Sequence, residues 1–160
     1  MIKMPESVRI EKVEGANVHH LIDLIGQLAD FESLAPPDTE AMERLARDAT
    51  TDRKLFDASI ALVGDRAVGY VTYYFTYSTF LARPTLFLED IFVIKEYRKK
   101  GVGRELFRYC VNEARTRRCG RMEWTVLTWN KDAIDFYEKL GGKRIDWYLY
   151  RLGEKEFESK

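Results

Sequence analysis

"TLFLEDIFVIKEYRKKGVGRELF", residues 85–107, joins an apolar run to a helical pattern through a junction rich in glycine and basic side chains. The apolar run is built from β-branched and aromatic residues, which predicts a strand. Helix period returns after Gly103, where Phe107, Cys110, Val111 and Ala114 share a face. Between them stand Gly101 and Gly103, surrounded by Arg98, Lys99, Lys100 and Arg104. A helix start carries unpaired backbone N–H groups and the positive end of the helix dipole. Glycines let the chain turn tightly and bring those groups close to a ligand. The junction therefore suits an anion, most naturally a phosphate. Its spacing is R-x-x-G-x-G. It is not the G-x-x-x-x-G-K-[ST] loop, nor G-x-G-x-x-G, because position 106 is Leu. Taken alone, the same residues also suit a glycine turn with solvated lysines.

Upstream, residues 8–13 alternate and predict a first strand. Val18, Leu21, Ile22, Ile25 and Leu28 fall at helix spacing, ending near Phe31 or Glu32. "APPD" interrupts, since proline cannot continue a helix. Asp38 or Thr39 then caps a second helix to about Asp48. Residues 58–63 and 67–77 predict a hairpin about the turn "GDR". Downstream, residues 121–128 predict a strand, and Asn130 caps a short helix that Gly141 and Gly142 stop. Residues 143–152, "KRIDWYLYRL", predict a last strand. Antiparallel strands followed by two strand–helix–strand passages predict an α/β fold: one mixed, mostly antiparallel sheet with helices on both faces. The chain of 160 residues is expected to form a single domain, 1–160.

Composition narrows the partners. Lys plus Arg and Asp plus Glu are 26 each, so net charge gives no case for nucleic acid or a membrane surface. No apolar stretch reaches the roughly 18 residues of a membrane span, and the N-terminus shows no secretory signal. Cys110 and Cys119 suit reduced thiols in a cytoplasmic protein. Their spacing, with His19 and His20 far away, gives no metal set.

Further features accompany the glycine junction. Glu89 and Asp90 lie inside an apolar strand, where a carboxylate is costly unless paired or functional. Strict alternation places Glu89 on the face of Phe87, Ile91 and Val93, with Asp90 opposite. Tyr137 stands on the apolar face of the helix in "TWNKDAIDFYEKLGG", either a core tyrosine or a functional one.

In this combination and order, "LEDIFVIKEYRKKGVGRELF" and "WNKDAIDFYEKLGG" resemble the two motifs of the GCN5-related N-acetyltransferase family. The resemblance runs from about Val8 to Leu152. With "VGYVTYYFTYSTF" it is nearest to the spermidine/spermine and thialysine acetyltransferase branch. The resemblance implies a sheet splayed between its fourth and fifth strands, with acetyl-CoA in the gap. It implies that the backbone of Ile91, Phe92 and Val93 bonds the pantetheine arm. Arg98, Lys99, Lys100, Gly101, Val102, Gly103 and Arg104 would hold the pyrophosphate, and Asn130 would touch the pantetheine region. It implies Glu89 as the group that takes a proton from the amine, and Tyr137 as the group that protonates the departing thiolate. Arg115, Arg117 and Arg118 suit either the 3′-phosphate or a cationic helix end.

The implied acceptor is a primary amine of a small molecule: a diamine, a polyamine or a lysine-like amino acid. Phe31, Glu32, Tyr77 and Glu89 are the implied substrate contacts. Position 78 is Ser where the polyamine pattern has Asp, and position 80 is Phe where it has Trp. The missing charge favours a smaller amine over a multiply charged one. Protein lysine or N-terminal acetylation, and a non-catalytic acyl-CoA sensor, are the alternatives. A homodimer is expected from the branch and from the aromatic last segment, Trp147, Tyr148 and Tyr150.

Overall fold

A computed structural model describes residues 7–159. In chain order the elements are β1 (Val8–Lys12), α1 (Val18–Glu32), α2 (Thr39–Thr50), β2 (Asp57–Val63), β3 (Arg66–Ser78), β4 (Arg83–Val93), α3 (Val102–Thr116), β5 (Arg121–Trp124), α4 (Lys131–Lys139) and α5 (Glu154–Glu158). The chain divides into two compact units, the first ending at Thr125 and the second starting at Val126.

The first unit holds a five-stranded sheet in the order β1-β2-β3-β4-β5. The first three pairings are antiparallel and β4 with β5 is parallel. A parallel neighbour needs a crossover, and α3 supplies it. The sheet is thus mixed and mostly antiparallel, as the sequence predicts. Its centre is nearly continuous apolar surface, with Ile60, Val68, Tyr70, Val71, Leu86 and Leu88 almost wholly buried. Burial on both sides explains why β2 and β3 read as apolar runs rather than alternating strands.

The two faces are covered by different helices. Odd-numbered residues of β3 meet α3: Tyr73 donates its hydroxyl to Glu113 at 3.2 Å, and its ring lies 6.5 Å from that of Tyr109. Even-numbered residues Thr72 and Tyr74 face a cavity that Ile25 of α1 and Ala41 and Leu45 of α2 close from above.

Two places depart from a regular ladder. Tyr73 pairs with Leu88 while Thr72 pairs with Asp90, so Glu89 is the extra residue of a β-bulge. The ladder between β4 and β5 stops at Leu88 and Trp124, although β4 continues to Val93. β4 therefore leaves its parallel neighbour directly after the residue that precedes the bulge.

In the second unit, Asn130 Oδ1 accepts the Ala133 N–H at 3.1 Å and caps α4. Gly141, at φ +91°, ends it, and the Gly142 N–H returns to Tyr137 O at 2.9 Å. The expected last strand is not formed: residues 143–152 have no strand pairing. Aromatic content is a weak signal for a strand without a partner edge. Their side chains remain out in solvent, with Trp147, Tyr148 and Tyr150 between 72% and 88% exposed.

Candidate active site

The bulge decides the geometry of the acidic centre. A bulge residue is outside the ladder and shifts the side-chain alternation beyond it. Asp90 thereby joins Thr72 on the face of α1 and α2, and Thr72 donates its hydroxyl to Asp90 Oδ2 at 3.2 Å. Glu89 and Asp90 both line one cavity of about 620 Å³, with Thr72 and Tyr74 beside them. The expectation that the two carboxylates point to opposite faces is therefore corrected. Ile91 and Val93 go instead to the α3 side, where Val93 lies 3.3 Å from the Cβ position of Gly69.

The two acids are not equivalent. Glu89 is exposed and Asp90 is half-buried. Burial, and then the neighbouring Glu89 charge, push Asp90 up to about 6, against a smaller lowering from the Thr72 hydrogen bond. Glu32, at the end of α1, adds its charge to the same spot. The Tyr70 hydroxyl is buried, without a hydrogen-bond partner among the described residues, and burial followed by the Asp90 charge pushes its pKa upward. Burial and then Glu89 push Tyr74 upward as well. Such a cluster attracts one cation strongly. The sequence assigned Glu89 and missed Asp90. Two adjacent acids in an apolar strand were the available signal, because strict alternation puts only one of them in any one site.

Beyond the bulge, the strand edge is open. The Ile94 N–H bonds Val68 O at 3.0 Å, and Phe92 O stands 2.6 Å from the Cβ position of Gly69. The main-chain groups of Phe92 therefore face β3. Alternation turns those of Ile91 and Val93 to the side that β5 has left. Of the three residues grouped by sequence, Ile91 and the Val93 N–H face the gap, the Val93 carbonyl accepts from Arg98, and Phe92 faces away.

The junction after β4 folds as the glycine pattern requires. Gly101 takes φ +91° and N-caps α3 with no side-chain cap hydrogen bond. The first intrahelical bond is from Glu105 N–H to Gly101 O, so the N–H groups of Val102, Gly103 and Arg104 have no partner within the helix. A Cβ at Gly101 would meet none of the described residues within 4 Å. This is an open, uncapped cradle, and it fits a diphosphate. Lys99 and Lys100 are exposed around it, with Lys100 Nζ 5.0 Å from the Tyr97 ring. Arg98 has a different position. Its Nε donates to Val93 O at 2.8 Å, and its guanidinium covers the rings of Phe31 at 4.5 Å and Phe92 at 5.7 Å. It ties the loop to β4 and α1.

Other residues singled out by sequence lie elsewhere. Tyr77 pairs with Pro84 near the far end of the β3–β4 hairpin. It is five residues from Thr72, on the other face, and about 16 Å along the strand. The cavity does not include it. Arg117 lies 5.3 Å over the Phe75 ring. In the second unit Tyr137 is buried against Phe136, with ring centroids 5.2 Å apart. Asn130 caps α4 through Oδ1.

The sequence profile described as "Acetyltransferase (GNAT) family" matches residues 23–142. The chain belongs to that family and is an acetyl-CoA-dependent N-acetyltransferase. It is similar to a thialysine N-epsilon-acetyltransferase of Sus scrofa, 31% identical over 158 residues, covering 91% of this chain and 92% of the relative. The corresponding protein of Caenorhabditis elegans is 29% identical over 151 residues, covering 92% of each. Among solved structures, an integron cassette protein from V. cholerae superposes with a TM-score of 0.84 at 22% identity over 98% of both chains, a likeness of fold.

Proposed function

We propose that the protein acetylates the primary amine of a small cationic molecule. The observation that carries this reading is the pair Glu89 and Asp90 lining one cavity on the sheet face under α1 and α2, with the Glu32 charge acting on Asp90. The amine relatives, named for thialysine and, over 85 residues, for L-ornithine, support it. The family match spans both units, which supports their acting as one acetyltransferase domain.

An alkylamine has a pKa near 10, taking lysine as reference, so it arrives as an ammonium. Asp90, held by Thr72, receives that ammonium. Glu89, exposed at the same cavity, takes its proton and releases it to water. Acetyl-CoA, when bound, supplies the thioester carbonyl that the free amine attacks. The C–N bond forms as the C–S bond breaks, the nitrogen loses a second proton, and Tyr137 donates one to the departing sulfur. The balance is ammonium plus thioester to amide plus thiol plus one proton. Each positioned proton transfer typically contributes about 10²- to 10⁴-fold. The Gly101 cradle would hold the pyrophosphate, and the backbone of Ile91 and Val93 the pantetheine arm. No covalent enzyme intermediate is needed: burial pushes the Cys110 thiol up to about 12, away from a nucleophile.

We extend the proposal to assembly and location. The exposed aromatic segment 147–150 supports a homodimer, and a monomer mass in light scattering would count against one. Two free cysteines suit a reducing, cytoplasmic setting. Among the described residues no helix is long and apolar enough to cross a membrane.

The test is release of CoA with a panel of small amines, beside Glu89→Gln and Tyr137→Phe. Losses of 10²-fold or more in each variant are expected. Full rates in both variants would remove the assigned roles, and acetyl-CoA binding without turnover on any amine would remove the reading itself.

A further inference from the structure

The cavity that holds the acids has a second, different end. Ile25 of α1, Pro37, and Ala41 and Leu45 of α2 form one wall, and Leu55 and Phe56 of the segment before β2 continue it. The polar groups, Thr72, Tyr74, Glu89 and Asp90, all come from the sheet. Glu32 adds its charge at that same end, since it acts on Asp90 and Tyr70. The described lining includes no lysine or arginine, and no acid outside the sheet floor.

From this asymmetry we infer that the preferred acceptor is a monoamine: one ammonium on an uncharged aliphatic or aromatic body. The inference rests on the amine-acetylation reading and narrows it. An amino-acid acceptor brings an α-carboxylate, which finds no cation in the lining and meets Glu89 and Asp90 instead. A diamine or polyamine brings a second ammonium, which would rest on Ile25, Ala41 and Leu45 without a hydrogen-bond acceptor. A charge moved from water to such a wall loses more than the wall returns. An apolar body has the opposite balance, because it removes its own surface and that of the wall from water. The volume, about 620 Å³, leaves room for a ring or a chain beyond the amine. Tyr74, stacked on Phe87 at 5.2 Å, adds an aromatic surface beside the acids.

The chemistry is unchanged by this choice. The ammonium gives its proton to Glu89, nitrogen bonds the acetyl carbon, and the thiol leaves with a proton, so product and CoA balance as above.

The experiment compares a singly charged amine with one that carries further charged groups. Hexylamine is measured against 1,6-diaminohexane, and 2-phenylethylamine against lysine, with acetyl-CoA and the unaltered full chain. The expected result is a kcat/KM at least 10-fold higher for the monoamine of each pair. Equal or higher values for the diamine and for lysine would overturn the inference while leaving amine acetylation standing. No turnover with any of the four, although acetyl-CoA binds by calorimetry, would overturn both. Ala41→Asp, which sets a carboxylate in the apolar wall, is expected to shift the hexylamine-to-diamine ratio toward the diamine by 10-fold or more. An unmoved ratio in a folded variant would show that this wall does not touch the acceptor.

Discussion

Thr72 and Asp90 face each other across β3 and β4, joined by a hydrogen bond of 3.2 Å that exists only because Glu89 is bulged out of the ladder. In an unbulged strand Asp90 would lie under α3. The bulge brings both acids to one cavity and gives them unequal surroundings, with Asp90 the more buried. Asp90, at about 6, is an anion at neutral pH and neutral in mild acid. A site that binds an ammonium through Asp90 loses that attraction as pH falls through 6. We expect kcat/KM to fall about tenfold per pH unit below 6, and Asp90→Asn to lower the plateau while removing that limb. A pH–rate profile checks it. An acid limb unchanged in Asp90→Asn would show that another group controls it.

The same shift has a consequence for stability, with a sign opposite to that of most carboxylates. The ordinary value is 3.8 and the folded value about 6, so the folded state holds a proton that the unfolded state has already lost between these values. Stability contributed here is present below 3.8 and lost as pH rises toward 6. Above 6 the ionised Asp90 costs on the order of 3 kcal/mol. Asp90→Asn keeps a partner for Thr72 and removes the charge. Its Tm should exceed the parent's at pH 8 by roughly 6 °C or more, and match it near pH 4. Equal melting at pH 8 would show that Asp90 is not under this strain.

The sequence made the sheet legible through its apolar runs, and the glycine loop through Gly101 and the basic residues around it. Both are local signals: a strand's composition, and a backbone angle that favours glycine. The missing parts depend on distant pairing. Nothing local to "LEDIFV" states that Thr72 will sit opposite Asp90 while Tyr73 sits opposite Leu88. Tyr77 is a substrate contact implied by the resemblance, yet register places it at the far end of the hairpin from Thr72 and Tyr74. Leu55 and Phe56, in a segment with no period, gave no sign that they would line the acid-bearing cavity. Residues 143–152 have strand-forming side chains, but a strand also needs a neighbouring edge.

Gly101 separates cofactor binding from acceptor binding. Its φ of +91° is a conformation that a side chain disfavours, by roughly 1–2 kcal/mol. The space for a Cβ is open, so Gly101→Ala acts on the backbone alone. The turn would relax and the N–H groups of Val102, Gly103 and Arg104 would lose their common aim. We expect the KM for acetyl-CoA to rise about tenfold, with the KM for the amine little changed. Calorimetric titration with CoA gives the same comparison without turnover. An unaltered affinity would place the diphosphate elsewhere.

Gly69 lies beneath the open edge of β4 and couples sheet packing to the site. A Cβ there would meet Phe92 O at 2.6 Å, with Leu106 and Val93 side chains at 3.3 Å. The closest of these is backbone, which cannot rotate away, so the strands must part. Overpacking of this kind costs about 1–3 kcal/mol. Gly69→Ala should lower Tm by roughly 2 to 12 °C. Because the displaced atom belongs to Phe92, the groups of Ile91 and Val93 on the opposite side of β4 move with it. A raised KM for acetyl-CoA should accompany the lower Tm even at temperatures where the variant is fully folded. A Tm drop with an unchanged KM would show that the β4 edge does not hold the pantetheine arm.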